Sequence, residues 1–133
     1  MQEEIAHNGK IIAIVIRKTF QKDGVNFLSK KDFPLQLGVN SYKKGESIRP
    51  HFHLNKELTI NKIQEVVHFE SGKAVVTLYG ADGDKFRSLE LFAGDTIFLV
   101  EGGHGFTMLE DTKIMEVKQG PYFGKDKDKV MIE

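Results

Sequence analysis

The chain has no cysteine, which excludes disulfides, thiolate metal ligands and a cysteine nucleophile together. It has no excess of charge of either sign: 19 basic residues balance 19 acidic ones. Nothing electrostatic therefore argues for nucleic acid or an anionic membrane as a partner. Long apolar runs are missing too. The longest, I-I-A-I-V-I at residues 11–16, falls far short of the roughly 20 residues that span a bilayer as a helix. The opening M-Q-E-E-I-A-H-N-G-K is acidic and polar, unlike a signal peptide, which makes the cytoplasm the default location. No stretch keeps a helical apolar period over three turns, and repeats, low-complexity tracts and linkers are absent. A chain of 133 residues is expected to form one domain around one core.

What the chain does have is many short β-forming segments separated by turn residues. Residues 11–17 are apolar on both faces of a strand, which predicts either burial on both sides or a subunit contact. Such a strand near the terminus of a small domain predicts a homodimer, because an exposed apolar edge aggregates or finds a partner. Asp23-Gly24 is a turn, followed by a short strand at 25–29. Pro34 cannot donate to a ladder, so the next strand begins after it, at 35–43. Residues 54–63 have mixed charge and no period and read as a loop. A strand at 64–70, the turn Ser71-Gly72-Lys73 and a strand at 74–79 read as a hairpin. After the turn at 80–84 come strands at 85–92 and 96–100, then a last hairpin of 104–109 with 113–118. The tail beyond Gly120, with its K-D-K-D-K, is expected to be a solvated arm. Strand spacing of this kind predicts an all-β antiparallel sandwich or barrel.

The chemistry concentrates between Arg49 and Gly72. His51 and His53 are two apart, so on extended backbone both imidazoles share a face, and Pro50 keeps Arg49 extended. Glu65 opens the next strand in phase with Val67 and Phe69, and His104 shares a face with Phe106 and Met108. Three neutral imidazoles and one carboxylate at strand edges make a mixed nitrogen and oxygen site for one divalent transition metal. Fe, Mn, Ni, Co, Cu and Zn all suit such a set. A lone histidine in a sheet protein is more often a surface or hydrogen-bonded residue; four candidate ligands in order shift the balance toward a site. His7, in the polar opening, and His68, Gln64 and Glu70, out of phase with Glu65, are left off it. Arg49, in phase with the histidine pair, is a candidate anion anchor. Tyr42, Phe69, Phe106 and Met108 are candidate substrate-lining residues.

In these residues the chain resembles the small single-domain cupins. Their first motif runs glycine, five residues, H-x-H, three or four residues, glutamate, six residues, glycine. Here five residues separate Gly45 from His51-Phe52-His53, and six separate Glu65 from Gly72. Their second motif runs from a glycine through P-x-G to a histidine and an asparagine. Here Gly94 leads to Val100-Glu101-Gly102, Gly103 and His104, with Met108 where the asparagine would stand. The interval from His53 to Glu65 is enlarged to residues 54–64, Val100 replaces the proline, and the second motif is one residue short before His104. The resemblance covers roughly residues 38–118, with a strand arm at 9–29 before it and a polar tail at 120–133 after it. It implies a jelly-roll β-barrel over residues 1–133 with the metal on His51, His53, Glu65 and His104.

The fold hosts many chemistries, so three functions follow. The first is a metalloenzyme, an oxygenase for example, acting on a small polar substrate of carboxylate, keto or sugar type. The second is a sugar or sugar-nucleotide isomerase or epimerase using histidine and carboxylate as acid and base. The third is a non-enzymatic metal- or ligand-binding module; no DNA-binding domain accompanies it within the chain.

Overall fold

The computed structural model describes residues 2–132, and over them the protein is all-β. Eight strands run in order: β1 (Gln2–His7), β2 (Lys10–Ile16), β3 (Glu65–Ser71), β4 (Lys73–Tyr79), β5 (Lys85–Phe92), β6 (Thr96–Leu99), β7 (Gly103–Met108) and β8 (Lys113–Lys118). One short helix, α1 (Lys125–Asp128), follows. The strands form two antiparallel sheets, β1-β2-β6-β3-β8 and β5-β4-β7, each with two open edges. Among the described residues no helix is long and apolar enough to cross a membrane.

The sheets face each other across a core built by strand alternation. Ala13, Val15, Val67, Phe69 and Ile97 come from the larger sheet, and Ala74, Val76, Leu78 and Leu91 from the smaller. Burying apolar side chains of this size stabilises by about 1.5–3 kcal/mol each for the larger ones, so this layer is the main source of stability.

β2 is apolar on both faces because both are covered within the chain. Ala13 and Val15 enter the inter-sheet core, while Ile14 and Ile16 join Phe98 and Val100 on the other side. That outer side is roofed by Phe20, Leu28, Phe33, Leu35, Leu37 and Val39. The argument for a homodimer from residues 11–16 therefore loses its premise: β2 lies between β1 and β6 and is not an edge. The roofing segment is irregular where strands at 25–29 and 35–43 are expected. Residues 24–28 and 37–41 nevertheless pair antiparallel in one register, through the bridges Gly24↔Ser41 and Phe27↔Gly38 and the backbone bonds from Val39 N to the Asn26 carbonyl and Leu28 N to the Leu37 carbonyl, and the Asn26 amide ties the turn by donating to the carbonyls of Lys22, Asp23 and Gly24.

The structure departs from the sequence reading at two further points. β1 is a strand, paired with β2 through a tight turn in which Asn8 and Gly9 both have positive φ, 53° and 76°. That is the backbone an Asn-Gly hairpin turn requires. Second, β3 and β4 are not a hairpin, and neither are β7 and β8. β3 pairs with β6 and β8, and β4 with β5 and β7, so the chain changes sheet at both turns. The two crossings are tied together: Leu109 N donates to the Lys73 carbonyl at 2.8 Å, and Lys73 N donates to Thr112 Oγ1 at 3.2 Å. Gly72, at φ 93°, packs so tightly on Thr112 that a Cβ there would collide with it. The tail is exposed almost throughout, as expected, and its end lies beside β7, where Ile132 approaches Gly103.

Asp95 pins the end of β2 to the turn before β6. Its buried carboxylate accepts from Arg17 Nη1 at 2.9 Å, Lys18 N at 3.0 Å and Phe92 N at 2.9 Å. Replacing it leaves two backbone donors and a guanidinium without their acceptor. Asp95→Ala should destabilise the fold by about 2–4 kcal/mol, read as a lower urea midpoint with an unchanged slope.

Candidate metal centre

Register decides which side chains look inward. On β3, Val67 and Phe69 are buried in the inter-sheet core, so Glu65 at the strand's start points to the same side. On β7, His104, Phe106 and Met108 lie opposite Leu78, Val76 and Ala74 of β4, all three buried in that core. The two inward faces meet at one end of the sandwich. There Glu65 Oε1 and His104 Nε2 are 3.8 Å apart, with side chains 15% and 34% exposed. Phe106 lies deeper, its ring 5.9 Å from that of His104 and 6.0 Å from that of the sealed Phe69. Met108 is on the same side but at the far end of β7, 47% exposed, away from the carboxylate and imidazole.

β8 adds charges to this opening that the sequence reading missed. Glu65 pairs with Lys118 and Val67 with Glu116, so both charged side chains share the inward face. The signal was present in the alternation of Ile114, Glu116 and Lys118. The folded-back tail brings Lys129, and Lys118 sits over the ring of Tyr122 at 5.5 Å. Glu116, Lys118, Gln119, Tyr122 and Lys129 border an open cavity of about 590 Å³ along the end of β8.

Burial is the main cause that raises the pKa of Glu65; Glu116 adds to the rise, while Lys118 and Lys129 oppose it. Burial also lowers that of His104, helped by Lys129 and Lys118 and opposed by Glu116. The signs differ. The raised carboxyl favours the fold fully below its ordinary range, and that contribution is lost as pH rises through its folded value. The lowered histidine favours the fold above its ordinary range, and that contribution is lost as pH falls through its folded value.

His51 and His53 stand elsewhere. They lie next to each other, ring centroids 5.1 Å apart, on the exposed segment between the bridged Ser41 and the start of β3. His51 Nδ1 is 2.7 Å from the Arg49 carbonyl, which can only accept. Nδ1 therefore carries the proton, and Nε2 keeps a lone pair for a metal. Arg49 and Tyr42 are exposed on the same segment. Among the described residues no three histidine or acidic side chains come together as a metal-holding group. Glu65 and His104 meet, His51 and His53 meet, and the two pairs remain separate.

The histidines left off the site occupy structural places. His68 faces away from Glu65, with Nδ1 2.8 Å from Thr96 Oγ1, and His7 stacks on Phe86 at 4.2 Å. Gln64 is likewise on the outer side. Its Oε1 accepts from Leu35 N, its own N donates to Gln119 Oε1, and both amide nitrogens, Gln64 Nε2 and Gln119 Nε2, are buried without a protein partner.

The Glu65–His104 pair fits a shared cation: ligands at about 2.1 Å around one metal lie roughly 3–4 Å from each other. Compared with family models, curated proteins and solved structures, the chain matches none.

In the metal-free protein, an NMR titration of His104 should give a midpoint below the ordinary histidine value near 6.5. Glu116→Gln should lower it further, because the carboxylate opposing the shift is removed. An unchanged or higher midpoint in that variant would contradict the electrostatics given above.

Proposed function

We propose that the protein is a cupin-like metalloprotein in which His51, His53, Glu65 and His104 hold one divalent transition metal, acting on a small polar substrate. The observation carrying this is the convergence of Glu65 and His104. They belong to different sheets, yet each is aimed inward at the same end of the core, 3.8 Å apart. Two open antiparallel sheets facing across one core are the components a jelly-roll barrel needs, and the resemblance in motifs supports that reading. Assembly of the four-ligand set requires the exposed segment to bring His51 and His53 to the pair. When bound, the metal would supply a Lewis acid for a carbonyl or carboxylate. The chain's own groups orient and enclose: Phe106 walls the inner side, and Lys118 and Lys129 offer positive charge at the opening.

Metal analysis after purification, with zinc(II) or manganese(II) supplied, is the test. The wild-type chain should carry one metal per Glu65–His104 pair. His104→Ala and Glu65→Gln should fall to background while His68→Ala, on the outer side, keeps wild-type content. Retention in the first two with loss in the third would overturn the ligand assignment.

A second reading has its own support. Glu65 shifted up and His104 shifted down, in contact range, suit a proton donor and acceptor for isomerising or epimerising a sugar. It is distinguished by turnover that survives exhaustive chelation.

A further inference from the structure

β8 is the outermost strand of the larger sheet and, among the described residues, pairs with β3 alone. Phe69 donates its N–H to the Asp95 carbonyl and accepts from Gly94 N, both on the β6 side. Ile114 stands opposite Phe69, so its own N–H and carbonyl turn away from β3 toward the open edge. The two-residue period does the same for Glu116 and Lys118. The space beside that edge is open. The cavity of about 590 Å³ is lined by residues 116–120 in unbroken succession. Successive side chains alternate between faces, so the cavity runs along the edge of the strand and not over either face. On the outer face of β8, Met115 and Val117 are 53% and 54% exposed. The roofing residues pack on Ile14, Ile16, Phe98 and Val100 and stop short of them.

We propose that a second copy of the chain adds its β8 to this edge, antiparallel, about a two-fold axis through Val117. The two larger sheets then become one continuous sheet. This pairing does not rest on the metal reading.

Charge selects both the partner and the register. A two-fold pairing of like strands keeps the inward face of each on the same side, so only axes through a residue are allowed. With the axis at Val117, Glu116 of each copy stands opposite Lys118 of the other, on the inward face. These are also the residues whose backbone groups turn outward, so each such pair exchanges two ladder bonds. An axis at Glu116 or at Lys118 would set like charges against each other, which destabilises a sheet. Axes at Ile114 or Met115 bring no charges of β8 together. The register at Val117 alone sets unlike charges across, and it does so twice. On the outer face it places the two Val117 side chains against each other, which takes exposed apolar surface out of water. Pro121 falls opposite Lys113 at the end of the ladder. By the same period its backbone nitrogen would turn away from the partner, so the missing N–H costs no bond. The other three open edges lack this complementarity. β1 and β7 carry no lysine or arginine. On β5, Arg87 stands opposite Leu78 and Glu90 opposite Val75, hence on different faces, and Lys85 lies beyond a register shift.

Charge reversal tests the pairing. Light scattering of the wild type at micromolar concentration should give twice 15.1 kDa. Glu116→Lys alone sets lysine against lysine across the axis, and Lys118→Glu alone sets glutamate against glutamate. Each should weaken association by about tenfold or more and run as a monomer. Mixed in equal amounts, the two variants become complementary and should recover the dimer mass, as should the double reversal in one chain. A monomeric wild type, dimers in both single variants, or a mixture that stays monomeric overturns the proposal. Val117→Cys, which alters no charge, guards against reversed chains that fail to fold. The chain has no other cysteine, and mild oxidation should join two copies at the axis. Free thiol throughout overturns the register.

Discussion

Val67 and Phe69 are sealed between the two sheets, and the two-residue period of β3 then commits Glu65 to the same inward side. The same constraint acts on β7. Phe106 packs against the core, so His104, two residues earlier, must look inward too. A carboxylate and an imidazole thus meet not through any loop but because two rigid apolar strands end at the same rim. Sites built on such elements hold their geometry more firmly than sites built on loops. A slip of one residue on either strand would turn its ligand outward and expose its core residues, so the fold and the site share one register.

The outer face of the five-stranded sheet depends on a different device. Ile14, Ile16, Phe98 and Val100 would lie bare if the irregular segment after β2 did not roof them. That segment has one short antiparallel ladder of its own, 24–28 on 37–41. It is positioned by polar clamps: Asp95 on Arg17 and Lys18, Asn26 on the turn at Gly24, and Gln64 on Leu35. The larger sheet is thereby closed on both sides within one chain. The unsatisfied apolar surface is displaced onto the segment carrying His51 and His53.

Much of this was legible in the sequence, and the failures have physical reasons. The strands from β2 through β8 follow alternation and turn residues closely, and the phase of Glu65 and His104 followed from their neighbours. β1 was missed because Ile5 is its one deeply buried apolar residue and an acidic composition hid the pattern, although Asn8-Gly9 is a hairpin signal. The pairing of β3 with β4, and of β7 with β8, was misjudged because period and turn residues look alike whether a chain reverses in one sheet or crosses to another. What distinguishes the cases is pairing between residues far apart in sequence: β3 with β6 and β8, β4 with β7, and the contact of Gly72 on Thr112 between the two turns. The roof over β2 was read as two strands, and 24–28 does pair with 37–41, but as a short ladder supplemented by side-chain amides instead of two full strands. Whether His51 and His53 reach the rim cannot be read from spacing, since the interval from His53 to Glu65 belongs to no regular element.

The electrostatics of the rim bear on what it is for. Burial pushes Glu65 and His104 each toward its neutral form. A proton added to the pair relieves one group, and a proton removed relieves the other, which is the behaviour of an acid–base couple. A divalent cation between them acts otherwise: it stabilises the ionised carboxylate and requires the neutral imidazole, the form burial already favours for His104. The local side chains are balanced, with Glu65 and Glu116 set against Lys118 and Lys129, so the rim without a cation carries no net charge when all four are ionised. Adding the cation makes it positive, which gives a small carboxylate or phosphate a reason to enter beside the two lysines. The metal reading and an anionic substrate therefore reinforce each other. In the acid–base reading Glu65 begins protonated, so Lys118 and Lys129 face Glu116 alone, and the smaller positive excess suits a sugar carrying a single anionic group.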